Sequence, residues 1–265
     1  MATSGVVAYN VKTNDIVKRA LRIAGILARG QTMDADQATN GREALNAMVK
    51  EWQANGMRLW KMKEAIVFPV ANKTLYSISL DGDRAAIDWV ETTNSVAASS
   101  GDGTITVVGA TGISDGDQIG VTLDDKSIQW VSVNGAPVGS VITLSANLTD
   151  DVAVGNRIFA YTTKSPRPMD ISNPRRETKT LIQTPIQKIS RQGYLNLPQK
   201  SSASIPNSCF YDKQLAIGEL NVWPSFQNEE TVLKLTFKMP IDDMVDATND
   251  IDFPQEWINP VIFNL

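Results

Sequence analysis

At Ile66 the hydrophobic period of this chain changes from about 3.6 residues to 2, which splits it into a helical opening and a β-rich remainder. Before the change, two amphipathic stretches stand out. In the first, Thr13 opens a helix in which Ile16, Val17, Ala20, Leu21, Ala24 and Leu27 recur at spacings of three and four. Lys18, Arg19, Arg22 and Arg29 lie mostly off that stripe, and the pattern predicts a stop near Gly30. In the second, Asp34 is the N-cap and Gln37, three residues on, completes a capping box. Its interior reads Ala38, Leu45, Met48, Val49 and Trp52, runs for about five turns or ~30 Å, and ends at Asn55-Gly56. The prediction is an antiparallel helical hairpin with a short loop. Residues 1–12 carry no periodic pattern and read as a flexible tail.

After the change, five short alternating segments follow: Ile105 and Val107; Ile119, Val121 and Leu123; Ile128 and Trp130; Ile142 and Leu144; Ile158 and Ala160. Ser99-Ser100-Gly101-Asp102-Gly103, Ser114-Asp115-Gly116-Asp117, Asp124-Asp125-Lys126-Ser127 and Asn134-Gly135 supply turn chemistry between them. An inserted antiparallel β-sandwich or barrel module is therefore expected at about 83–162, within a β-rich region at 66–249. Beyond Ser165-Pro166-Arg167-Pro168, prolines at 174, 185, 198 and 206 rule out long helices and point to extended segments and loops. Leu233, Leu235, Phe237 and Met239 read as one strong strand, with Leu220 to Pro224 as its hairpin partner. Asp250 to Trp257 looks like a helix start, after which Trp257, Val261, Ile262 and Leu265 share a face. The fold class that results is α+β: a helical core from 13–65 and 250–265, made of the hairpin and a C-terminal helix, plus the β module. Exposed apolar residues from Val261 to Leu265 suggest a shortened chain or a segment that docks on something else.

Composition removes several function classes. The chain has 25 Lys plus Arg against 29 Asp plus Glu, so it lacks the basic excess of an autonomous nucleic-acid binder. Its lone cysteine, Cys209, allows no internal disulfide and suits a reducing compartment. There is no secretory signal pattern, and no window nears the length of a membrane-spanning helix, so neither secretion nor membrane contact is expected. The absence of histidine removes Ser/His and Cys/His arrangements and His-ligated zinc.

The remaining chemistry is sparse. Glu51 and the acids Asp242, Asp243, Asp246, Asp250 and Asp252 could pair for glycoside hydrolysis, but acids between a strand and a helix are usually solvated or capping groups. The same run lacks the alternating ligands and central glycine of a calcium loop. Cys209 reads as a buried, inert thiol. Trp52, Trp60, Trp89, Trp130, Trp223 and Trp257 read mostly as core, although Trp89 and Trp130 could stack on a sugar. No catalytic, cofactor-binding or metal-ligating residue is predicted, and no cofactor.

Three stretches together carry a family resemblance. The first is the helical opening, with Met48-Val49-Lys50-Glu51-Trp52, Gly56 and Leu59-Trp60. The second is Gly116-Asp117-Gln118-Ile119-Gly120 through Leu123-Asp124-Asp125, Gln129-Trp130 and Val133-Asn134-Gly135-Ala136-Pro137. The third is Arg167-Pro168 with Asn173, Arg175 and Arg176, then Leu197-Pro198, Trp223-Pro224 and Asp252 to Trp257. In order and separation they resemble the head-to-tail adaptor proteins of short-tailed bacteriophages, the packaged-DNA stabilisation and tail-accessory family. The resemblance implies a structural, non-enzymatic subunit in a ring, dodecameric by that likeness, below the portal. The ring would seal the packaged DNA and dock the tail. Its partners would be the portal protein, neighbouring copies of itself and tail proteins, with packaged DNA met only through the channel lumen. The location implied is the head–tail junction of the virion, with synthesis in the host cytoplasm. In such a ring, Arg167, Arg175, Arg176, Trp257, Val261, Ile262 and Leu265 would form the portal or neighbour interface; for the arginines, a solvated loop is the other reading. Two departures stand against the likeness: the expected continuation past Leu265 is missing, and Pro260 interrupts the last helix. The alternatives are a carbohydrate- or receptor-binding tail module and a cell-wall hydrolase.

Overall fold

A computed structural model describes residues 11–55, 61–248 and 255–265. The first ten residues, Gly56, Leu59-Trp60 and the expected helix start at Asp250 to Pro254 lie outside the described residues. The chain divides into two compact units, Met1–Lys61 with Pro240–Leu265, and Met62–Met239. The helices are α1 (Thr13–Ile23), α2 (Ala35–Ala54), α3 (Arg191–Leu195) and α4 (Ile258–Asn264). The strands begin with β1 (Lys61–Val67), β2 (Leu75–Ile78), β3 (Ala85–Ala86), β4 (Val90–Val96), β5 (Thr104–Val107) and β6 (Gln118–Thr122). They continue with β7 (Ile128–Ser132), β8 (Val141–Thr143), β9 (Arg157–Tyr161), β10 (Asp170–Glu177), β11 (Gln183–Pro185) and β12 (Gln187–Lys188). The last are β13 (Ala203–Ser204), β14 (Ser208–Lys213), β15 (Gly218–Trp223), β16 (Ser225–Phe226) and β17 (Val232–Met239).

The protein is mostly β, 35% strand against 19% helix, and this overturns the expected α+β fold of an N-terminal antiparallel helical hairpin with a C-terminal helix. The cause is local. Helix α1 stops at Ile23, not near Gly30: Ala24 caps it and Gly25 takes φ +76°, so the chain turns out of the helix. Leu27 is still buried, from a non-helical position. Its place in the apolar period reported burial and not helix. Helix α2 therefore runs 20 residues beside an 11-residue α1, and α4 reaches only seven.

Within the first unit the expected capping box is present: the Gln37 N–H donates to Asp34 Oδ1 at 2.7 Å, and the Asp34 N–H to Gln37 Oε1 at 3.2 Å. Its core joins Val11 and Ile16 to Leu45 and Val49, and to Ile241, Met244, Ile258, Val261 and Ile262 from the other end of the chain. Asn46 fixes that return: its Nδ2 donates to the Met244 carbonyl at 3.1 Å, and its Oδ1 accepts from the Met244 N–H at 3.0 Å.

The second unit holds four sheets. A five-stranded sheet, β11-β10-β17-β1-β3, and a four-stranded one, β12-β14-β15-β2, share a core. Val67, Ile171, Leu233, Leu235 and Phe237 from the first meet Tyr76, Ile78, Cys209, Leu220 and Val222 from the second. Strands β13 and β16 form a small parallel pair. The fourth sheet, β7-β6-β9-β4-β5-β8, curls into a half-barrel around Ile105, Ile119, Val121, Ile142, Ile158 and their neighbours. Its two edges meet where Val133 bridges Leu144, and the Ser132 and Ser145 hydroxyls lie 2.9 Å apart. The five segments read from alternation fall on β5, β6, β7, β8 and β9, with Leu123 and Leu144 one residue beyond their strands.

Strand pairing differs from expectation in one place. Strand β15 pairs with β14 and β2, whereas β17 pairs with β10, so Leu220 to Trp223 is not the hairpin partner of Leu233 to Met239. Alternation marks each segment as a strand but carries no information on its partner. Strand β10 contains Pro174, at a register shift between Ser172 and Arg175 where Asn173 takes φ +48°. That bulge spares the proline a ladder hydrogen bond.

Candidate functional site

In the helical unit the closeness of α1 and α2 rests on Gly41, where any Cβ would run into Val17 Cγ1. Beside that contact is an apolar groove of about 340 Å³, lined by Val17 and Leu21 of α1, the cap residue Ala24, Ile26, Ala44 of α2 and Leu265. Gln37 and Asn40 supply its polar lining. The same unit leaves Ile23, Ile26 and Phe263 largely in solvent. Apolar side chains left open next to a shaped recess are what a protein surface offers to another protein.

The residues read as an interface are placed as follows. Trp257 packs against Trp52 with ring centroids 6.3 Å apart. Val261 and Ile262 are 0% and 5% exposed, so they belong to the core of the helical unit and are not open apolar ends. Leu265 is half-buried at the groove, and Phe263 is the side chain that projects. In the β unit, Arg175 pairs with Glu64, and its buried Nε has no hydrogen-bond partner among the described residues. Arg176 donates from Nη1 to the Pro206 carbonyl at 2.7 Å, Arg167 is half-buried, and Lys179 donates to Asn156 Oδ1 at 2.7 Å. The basic cluster therefore mostly works inside its own unit.

The other candidates resolve similarly. Asp243 pairs with Lys50 at 2.6 Å and Asp242 with Lys61 at 3.5 Å, both on exposed side chains, and Glu51 is exposed. Among the described residues no group of acids, cysteine or histidine could hold a metal ion. Cys209 is fully buried, and burial pushes its thiol up to about 12. Trp89 and Trp130 are half-buried and already faced by cations: Lys234 Nζ lies 5.9 Å from one ring and the Arg84 guanidinium 4.8 Å from the other. Each ring thus has a cation over one of its faces.

One constellation escaped the sequence reading. Arg157 of β9, only 2% exposed, donates from Nε to Glu91 Oε1 of β4 at 2.9 Å and from Nη1 to the Thr178 carbonyl at 3.2 Å. Its Nη2 meets Glu177 Oε1 of β10 at 2.5 Å. Glu177 also accepts from Lys234 of β17 at 2.9 Å and from Gln183 at 2.6 Å. Burial raises the Glu177 carboxyl, but hydrogen bonds from Lys234 and Gln183, with the charges of Lys234 and Arg157, outweigh it and hold it below its ordinary value. The group borders an open cavity of about 650 Å³. Two acids and two bases satisfy one another, so the arrangement clasps the half-barrel to the five-stranded sheet and leaves little for a ligand. The available signal was an arginine opening the otherwise apolar run Arg157-Ile158-Phe159-Ala160-Tyr161.

Comparison with known protein families, curated proteins and solved structures finds no match to this chain.

Proposed function

We propose that this chain is a structural subunit that acts by assembly, without chemistry of its own, and that its particle is a short-tailed phage in which it serves as a head-to-tail adaptor. The observation that carries the reading is the apolar groove of the helical unit, with Ile23, Ile26 and Phe263 left open on the same unit. An assembly protein needs a surface that is stable bare and favourable when covered. A groove of this size takes one or two apolar side chains of a partner. The portal protein is the partner assigned to it. A ring of copies then closes through heterologous contacts, one patch on a different patch of the next copy. The β unit faces tail proteins, and packaged DNA is met only in the channel lumen. The resemblance of the three sequence stretches supports the phage assignment.

The test is the mass of the full chain by light scattering, alone and after mixing with portal rings of the same particle. A monomer that joins the portal in a fixed, many-copy complex is expected, and Leu21→Asp together with Ile26→Asp is expected to abolish joining while leaving the chain folded. A folded chain that ignores the portal would sink the adaptor reading.

A further inference from the structure

Within the β unit a second recess, of about 260 Å³, opens beside the aromatic group of Phe68, Trp130, Phe159 and Tyr161. Trp130 stands edge-on to Phe68, centroids 4.7 Å apart, and tilted against Tyr161 at 5.4 Å. Gly120 lets the indole lie close on β6, since a Cβ there would come within 2.7 Å of its ring carbons. The ring is thus fixed, and the Arg84 guanidinium lies over it.

Four charged side chains line the recess, and the two acids are already engaged. Glu229 accepts backbone N–H groups on both oxygens, Ala71 at 3.2 Å and Ile128 at 2.8 Å. Asp83 accepts from Lys73 Nζ at 2.5 Å and from the Ser77 N–H at 2.8 Å. The two cations are not matched. Among the described residues Arg84 makes no side-chain hydrogen bond or ion pair, and Lys164 donates only to the Gly82 carbonyl, at 2.5 Å. A half-buried guanidinium held by an aromatic face keeps its in-plane donors open.

We propose that this recess binds a carboxylate, with the Arg84 fork and the Lys164 ammonium on its two oxygens and its apolar stem against Phe68, Pro69, Val70 and Ile128. The size fits a short organic acid or a single acidic side chain. A planar monoanion matches the fork, whereas dianionic phosphate would meet the charges of Asp83 and Glu229 in the same small space.

The full chain can be titrated at constant ionic strength with sodium butyrate, a tetraglutamate peptide and inorganic phosphate, following the indole N–H resonance that Trp130→Phe removes. Butyrate or the peptide is expected to shift it saturably and phosphate not; the tighter of the two names the source, a free acid or a protein's acidic side chain. Arg84→Gln and Lys164→Met are each expected to weaken binding by about tenfold or more. No saturable shift with either carboxylate, phosphate binding as tight, or unchanged binding in the Arg84 and Lys164 variants would overturn the proposal. If Arg84→Gln fails to fold, Lys164→Met decides alone.

Discussion

Glu177 concentrates the electrostatics of the β unit in one carboxylate. It is 2% exposed, and Arg157, Lys234 and Gln183 all converge on it. Glu177→Gln leaves Arg157 buried with half its compensation, a change expected to cost about 3 kcal/mol at neutral pH. The pH dependence follows from the direction of the shift. A carboxyl held below its ordinary value contributes stability above the unfolded value of about 4, and loses it as pH falls through the depressed folded value. Asp170 acts in the same window: burial raises its carboxyl, but Lys188, the Ile171 N–H and Lys213 bring it below the ordinary value. Thermal unfolding of the wild type should therefore drop steeply below pH ~4. The Gln variant should start lower and drop less, and parallel curves would show that Glu177 is not among the groups responsible. None of this was legible beforehand, because an ion pair between β9 and β10 depends on which strands become neighbours. The sequence showed only an arginine among apolar residues.

At the scale of elements, Gly41 decides how α1 meets α2. Alanine is favoured over glycine in a helix by about 1 kcal/mol, while overpacking a filled contact costs roughly 1–3 kcal/mol. Val17 is 1% exposed and has little room to yield, so the clash should win and Gly41→Ala should destabilise the chain. In a Val17→Ala background the same change should become neutral or stabilising, a sign reversal that denaturant titration of the four proteins would reveal. If Gly41→Ala stabilises in both backgrounds, the close approach is not what holds the helices. Much at this scale was legible. The capping box at Asp34, the alternation of β5 to β9 and the turns between them all rest on short-range chemistry. What failed were statements about length and partnership. Gly25 ended α1 inside a continuing apolar period, Pro174 concealed β10 within a bulge, and β17 paired with a strand more than 50 positions earlier in place of β15.

For the molecule as a whole, the candidate surface was the least legible part. Val261 and Ile262 share a helical face, which periodicity reports well, but whether that face meets solvent, a partner or the chain's own beginning is a long-range fact. It meets the chain's beginning, and the groove is bounded instead by Leu21, Ile26 and Leu265. The helical unit closes over contacts such as Asn46 with Met244, 198 positions apart. During synthesis, α1 and α2 are made before the β unit and their core partners after it. Loop closure over such a distance is slow, whereas residues 62–239 hold all their own strand pairs. The β unit can therefore fold on its own, whereas the apolar stripe of Ile16, Leu45 and Val49 needs residues beyond Met239 for its cover. A released chain ending at Met239 should resist protease within 62–239 and be cut within 11–55. The apolar groove would then take shape only after the β unit is complete, because the helical unit needs residues from both sides of it.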